Sequence, residues 1–225
     1  MNPEQEIFEA ITAGDLERVR NLISTHPATV QARNDNGDSP LLAALYAGKM
    51  EIASFLISKA PSLTIYEAAA TGKIERVKEL LEEDPRLLNF ISHDGWTPLH
   101  LAAFFGQPLV AEFLIDLGAD MLAVSQNSNT VMPLHSALAS GKTDVAMLLI
   151  DKGADVSAPQ LTHGYTPLHY AAAGGLETVG RRLLEMGADP NVAAVDGKTP
   201  IDMATEKGHP EFAELLRQST TNPPE

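Results

Sequence analysis

The sequence predicts an all-α fold: a solenoid of short antiparallel helix pairs joined by hairpin loops. Three observations predict it. A segment running from proline to glycine recurs along the chain, at intervals of 33 to 35 residues over its second half. The apolar-periodic stretches within each unit are too short to be stable helices alone, so neighbouring units must cover them. Alanine and leucine are plentiful while aromatics make up only 5% of the chain, which favours helix over sheet.

The repeat reads most clearly in "TPLHLAAFFG" (97–106), which aligns with "SPLLAALYAG", "MPLHSALASG", "TPLHYAAAGG" and "TPIDMATEKG". Its prolines are Pro40, Pro98, Pro133, Pro167 and Pro200, and eight residues after each stands Gly48, Gly106, Gly141, Gly175 or Gly208. Two further segments end the same way without the proline, at Gly14 and Gly72. Seven units therefore begin near residues 6, 40, 64, 98, 133, 167 and 200, within one domain spanning 1–220 and followed by a flexible tail at 221–225.

Each unit explains itself as a helix pair. Thr97 caps a helix whose first position is Pro98, where the missing N–H is no loss. Gly106 ends it after about two turns. A second helix follows in "PLVAEFLIDLGAD", with Val110, Phe113, Leu114 and Leu117 at helical spacing. "GAD" closes it at 118–120, and again at 153–155 and 187–189. The polar, glycine-bearing stretch leading into the next unit suits a turn or short hairpin.

One connection is short. Elsewhere 13 to 15 residues run from the end of a second helix to the next unit, but only 4 separate Ala60 from Thr64. One hairpin is therefore missing near 60–64, where Thr64 and Glu67 can form a capping box. The gap is either harmless length drift, a notch in a binding face, or a bend between residues 1–60 and 61–220.

On these motifs the chain resembles the ankyrin repeat family over roughly residues 4–218. T-P-L-H-x-A-A, a glycine, and G-A-D near a period of about 33 residues are specific to it. The departures are a first unit without T-P, Met132 in place of threonine, and Ile201-Asp202 in place of Leu-His. Terminal units are expected to be atypical, since each faces water on one side. The resemblance implies that His100, His135 and His169, which share one repeat position, are structural groups bonding the threonine and the neighbouring loop.

Composition narrows the function. Without cysteine there is no disulfide, thiolate metal site or cysteine nucleophile. That absence, with no secretory signal and no apolar run near the ~18 residues of a membrane span, leads us to expect a cytoplasmic protein. A formal net charge of −14 argues against nucleic acid and anionic membrane as partners. His93, His163 and His209 lack metal-ligand spacing, and Glu79, Glu82, Glu83 and Asp84 spread over one helix end instead of converging. No nucleophile elbow, P-loop or dinucleotide fingerprint occurs. No enzyme, cofactor or metal is predicted.

A binding face is predicted instead. Leu99, Ala102, Ala103 and Gly106 fall on one helical stripe, matched by Leu134, Ala137, Leu138 and Gly141, then by Leu168, Ala171, Ala172 and Gly175; this is the stacking face. Leu101, Phe104 and Phe105 fall on the opposite arc. The two phenylalanine positions change to Tyr46-Ala47, Ala139-Ser140, Ala173-Gly174 and Glu206-Lys207 in other units, so they are not common packing. The family resemblance implies that hairpin tips and these helix positions line a concave face used for partners. Carried over, that gives Trp96, Phe104, Phe105, His93 and Asp94, with Ser128, Asn129 and Val131 in the fifth unit. The sixth and seventh add Thr162, His163, Tyr165, Tyr170, Asp196, Lys198, Glu206 and Lys207, and Asp35, Asp38 and Tyr46 extend the face across the gap. The competing reading packs Phe104 and Phe105 beneath neighbouring hairpins. The expected protein is a monomeric, non-enzymatic interaction module with a protein partner. Its alternatives are a regulatory or inhibitory subunit of a cytosolic enzyme using its acidic surface, and a self-assembling structural repeat.

Overall fold

The computed structural model describes residues 2–221. The expected tail lies outside that range except for Thr221, which ends the last helix. The helices form seven antiparallel pairs: α1 (Pro3–Ala13) with α2 (Leu16–Thr25), α3 (Pro40–Tyr46) with α4 (Met50–Lys59), and α5 (Ile65–Ala70) with α6 (Ile74–Glu83). The fourth and fifth pairs are α7 (Pro98–Phe105) with α8 (Pro108–Asp116), and α9 (Pro133–Ala139) with α10 (Thr143–Asp151). Then come α11 (Pro167–Ala173) with α12 (Glu177–Glu185), and α13 (Pro200–Glu206) with α14 (Pro210–Thr221). Among the described residues there is no strand.

Local chemistry sets the helix ends. The Thr97 hydroxyl accepts from the His100 backbone N–H while His100 Nδ1 turns back to the Thr97 hydroxyl at 2.7 Å. Glu67 and Asp202 perform the same return with Thr64 and Thr199, so acids replace the histidine without loss of the cap. Met132 has no hydroxyl, and only its N–H meets His135 Nδ1, at 3.4 Å. The first unit departs from expectation. Asn2 accepts from the Glu4 N–H at 3.1 Å and Pro3 takes the first helical position, so α1 begins at 3 and not near 6. Gly106 ends α7 at φ 71°, outside the helix, and so does not belong to the stacking stripe as expected. Second helices lacking the G-A-D glycine stop before a proline instead, at His26-Pro27, Ala60-Pro61 and Asp84-Pro85.

The predicted stripe is the stacking face: Leu99, Ala102, Ala103, Leu134, Ala137, Leu138, Leu168, Ala171 and Ala172 are all buried. At the far end Gly180 is filled by its neighbour, because the ring of Phe212 occupies the space a Cβ would need. The apolar core divides into two clusters, one from Ile7 to Leu56 with Ala70 and Leu101, the other from Ile65 to Leu216. Leu63 and Tyr66 pack against both. The division coincides with the short connection.

The hairpins stand side by side in a continuous row. Gln126 N–H donates to the Gly95 carbonyl at 2.8 Å, Leu161 to Thr130 at 3.4 Å, and Val195 to His163 at 2.9 Å. No open notch interrupts the row where the hairpin is missing. The turn at 34–38 instead meets the turn at 92–96 directly, with His93 Nδ1 3.3 Å from the Asn36 carbonyl. Gly37 permits this approach twice over: its φ is 82°, and the His93 ring lies where a Cβ would stand. Gly37→Ala is expected to cost about 1–2 kcal/mol, read as a lower urea midpoint.

Candidate functional site

The first helix of each unit presents three sides. Counting from the proline, the first, fourth and fifth positions face the stack. The third and sixth, about 300° apart and so nearly superimposed, face the hairpins. Side by side across the units they make a floor: Leu101, Ser136, Tyr170 and Met203 at the third position, and Tyr46, Phe104, Ala139 and Ala173 at the sixth. The hairpins supply the wall with Asn36, His93, Asn127, Gln160 and Tyr165. Between floor and wall runs an open groove of about 1060 Å³.

The seventh position turns a further 100° away. Phe105 therefore does not line the groove but packs against the N-terminal core cluster, 5.4 Å from the Tyr46 ring and 5.1 Å from Phe104 between centroids. The two phenylalanines thus divide between the two readings, Phe104 in the groove and Phe105 in packing. Leu101, assigned by helical angle to the arc opposite the stacking face, is the buried part of the groove floor.

Of the other expected contacts, Tyr46 is 38% exposed and meets Phe104 edge-on at 6.2 Å. Trp96 is half-buried, 5.5 Å from the His100 ring, and packs against the N-terminal cluster with its outer face on the groove. Tyr165 stacks on His163 at 5.9 Å and 15°, and meets Tyr170 at 6.3 Å and 90°. Val131 departs from expectation. It is 6% exposed, because its N–H donates to the Ser125 hydroxyl and its carbonyl accepts from His100, which draws the residue inward. Lys198 lies beyond the groove lining, its ammonium held by Glu206 and its carbonyl by His169. Gln126, Asn127 and Gln160 were not singled out in the sequence. They reach the groove as the inner residues of hairpins whose turns only the folded chain defines.

His100, His135 and His169 are scaffold. Each Nε2 donates to a carbonyl of the next hairpin: Val131 at 2.9 Å, Ala158 at 3.1 Å and Lys198 at 3.0 Å. Burial lowers all three from the ordinary imidazole value, His100 and His135 to about 4, so the rings are neutral. Among the described residues no three histidine or carboxylate side chains gather as metal ligands.

The strongest electrostatic feature sits where the hairpin row closes over the short unit. Asp38 is 7% exposed; one carboxylate oxygen takes the Asn34 amide at 2.9 Å, and the other, Oδ1, has no partner. Burial raises its pKa, and the charge of Asp94 and the direct contact between the two carboxyl groups add to the rise, against the Asn34 bond and a smaller opposing effect of Arg33. Asp94 accepts from the Tyr46 hydroxyl at 2.9 Å and from the Ser92 hydroxyl. Burial first, then Asp94, pushes the Tyr46 hydroxyl up as well.

No helix among the described residues is long and apolar enough to cross a membrane. The family model described as "Ankyrin repeats (3 copies)" matches residues 65–160, 123–194 and 157–224, more than half of the chain. Among curated proteins, the chain is 43% identical over 63 residues to the Target of rapamycin complex 2 subunit AVO2 of Saccharomyces cerevisiae, covering 28% of this chain and 15% of that one. It is 37% identical over 65 residues to the human NAD-capped RNA hydrolase NUDT12, covering 29% and 14% respectively. It is 34% identical over 128 residues to human Protein phosphatase 1 regulatory subunit 27, covering 56% and 67%. The chain thus spans only a small part of the first two of these relatives. Family match, capped helix pairs and hairpin row agree: the chain belongs to the ankyrin repeat family.

Proposed function

We propose that this chain is a non-catalytic recognition module that binds a segment of a partner protein in the groove between its hairpins and first helices. One observation carries the reading. The groove is lined by the third and sixth helix positions, which change from unit to unit, while the stacking positions beside them stay small or apolar. Tyr46, Phe104, Tyr165 and Tyr170 offer it large apolar area at low entropic cost, as interface anchors do. Ankyrin repeats generally serve protein–protein interaction, which supports the reading without naming a partner. The unit boundaries and a bend at 60–64 fit the division of the apolar core.

The test is affinity capture with the full chain and with the double variant Phe104→Ala and Tyr46→Ala. The expected result is loss of the captured partner, at a cost of at least about 2 kcal/mol or roughly thirtyfold in affinity, with Tm lowered by only a few degrees. Capture undiminished in a folded variant overturns the assignment.

A second reading is a regulatory subunit acting through its acidic surface. It is favoured by the names of two relatives, a complex subunit and a phosphatase regulatory subunit, and by the net charge of −14. Binding that weakens steeply with salt supports it, whereas an apolar grip is far less sensitive. Self-assembly is the third, and a strict monomer in light scattering at high concentration removes it. We place the module in the cytoplasm, as its lack of cysteine suggests.

A further inference from the structure

We propose that the groove receives a basic side chain of the partner segment, an arginine or lysine seated between the Asp38 and Asp94 carboxyl groups and the rings of Tyr46, Trp96 and Phe104. This rests on the reading of the groove as the partner site and says what chemistry it selects. Two observations point to the occupant independently of the apolar floor. Asp38 is more than nine-tenths buried at the groove wall, yet its Oδ1 meets no donor, and the side chain faces the Asp94 carboxyl group, another acceptor. No lysine or arginine lines the groove, although two aspartates do.

Facing carboxyl groups in a shielded site need a proton or a cation between them. With no partner present, burial and the Asp94 carboxyl group raise Asp38 above the ordinary carboxylate value, so its charged form is disfavoured where it stands. Exposed Arg33 acts on Asp38 too weakly to reverse this. A guanidinium or ammonium does the same work better. It gives the unpartnered oxygen a charge-assisted bond and faces Asp94, already oriented by Tyr46 and Ser92. The flanking rings add attraction of cation to π face, strongest for a planar guanidinium. The net charge of −14 steers such a segment inward.

The experiment pans a random-peptide phage library on the full chain and titrates the best synthetic peptide by fluorescence of Trp96, the sole tryptophan. We expect a lysine or arginine at a fixed place in the enriched sequences. Replacing it by citrulline or acetyl-lysine should weaken binding at least about tenfold, and so should Asp94→Asn on the protein side. The asparagine carbonyl keeps one of the two hydroxyl bonds, from Tyr46 or Ser92, and its amide can donate to the other hydroxyl oxygen. Should that variant unfold, Asp38→Asn gives the same test, since its amide relieves the unpartnered oxygen. Enriched peptides without a fixed basic residue, or a basic peptide bound equally by the asparagine variants, overturn the inference. If those peptides are still lost on Phe104→Ala, the groove reading survives alone. Peptides indifferent to Phe104→Ala, or no enrichment at all, count against both.

Discussion

Acidification from pH 7 to pH 4 is expected to remove about 3 kcal/mol of stability for each of His100 and His135. The sign follows from where the protons go. In the unfolded chain an imidazole titrates near 6.5, whereas burial holds both folded rings to about 4. Between these values the unfolded state binds protons that the folded state refuses, so stability rises with pH there. It is fully present above about 6.5 and drains away as pH falls toward 4. His169 shifts in the same direction. Protonation would force a donor onto Nδ1, which faces the Thr97 hydroxyl and its N–H. The check is the urea midpoint between pH 7 and 4 for wild type against the double variant His100→Asn and His135→Asn. The variant should start less stable but lose less on acidification, because asparagine does not titrate. Titration of the many surface carboxylates is common to both proteins and cancels in the comparison. Parallel pH profiles would show that these rings carry no such linkage.

Phe212→Ala is expected to cost about 3–5 kcal/mol, the usual loss for a fully buried phenylalanine. The ring is 2% exposed and lies over Gly180 of the preceding unit, filling the space where a side chain would stand. Among the described residues the pair α13–α14 packs on a neighbouring pair on one side, and this contact is part of that packing. Gly180→Ala in the wild type forces the ring aside and should cost about 1–3 kcal/mol. In the Phe212→Ala background the same change should cost much less, because its methyl group enters the vacated space. Urea unfolding of the four proteins measures the coupling. Additive costs would mean that the two residues do not share that space.

Most of the scaffold was legible in the sequence because it is local. Thr97-Pro98 at a helix start, Gly106 at its end, and the Thr64–Glu67 box act within a few residues and recur, so each unit explains the next. The start of α1 escaped because Asn2-Pro3 does the work of threonine-proline in a helix of different length. The groove was legible only in part. Helical angle separates the stacking stripe from the opposite arc, but it does not resolve the sixth position from the seventh, where Phe104 and Phe105 part company. Nor does it show that Val131 turns inward to meet His100. The short connection at 60–64 reveals that a hairpin is missing; how its neighbours respond is decided by long-range fit. His93 reaches Asn36 and Tyr46 reaches Asp94 across 57 and 48 residues of chain. That closure brings Asp38 and Asp94 together, and no periodicity announces it.

The central claim is that a partner lies in the groove and not along the outer helices, and site-specific photo-cross-linking tests it most directly. A benzoyl-phenylalanine placed at Phe104 probes the groove floor; the same group at Leu109, on the outer helix α8 and 69% exposed, probes the opposite side. Cross-linking of the captured partner from position 104, with little or none from 109, is the expected result. Cross-linking from 109 and not from 104 would contradict it.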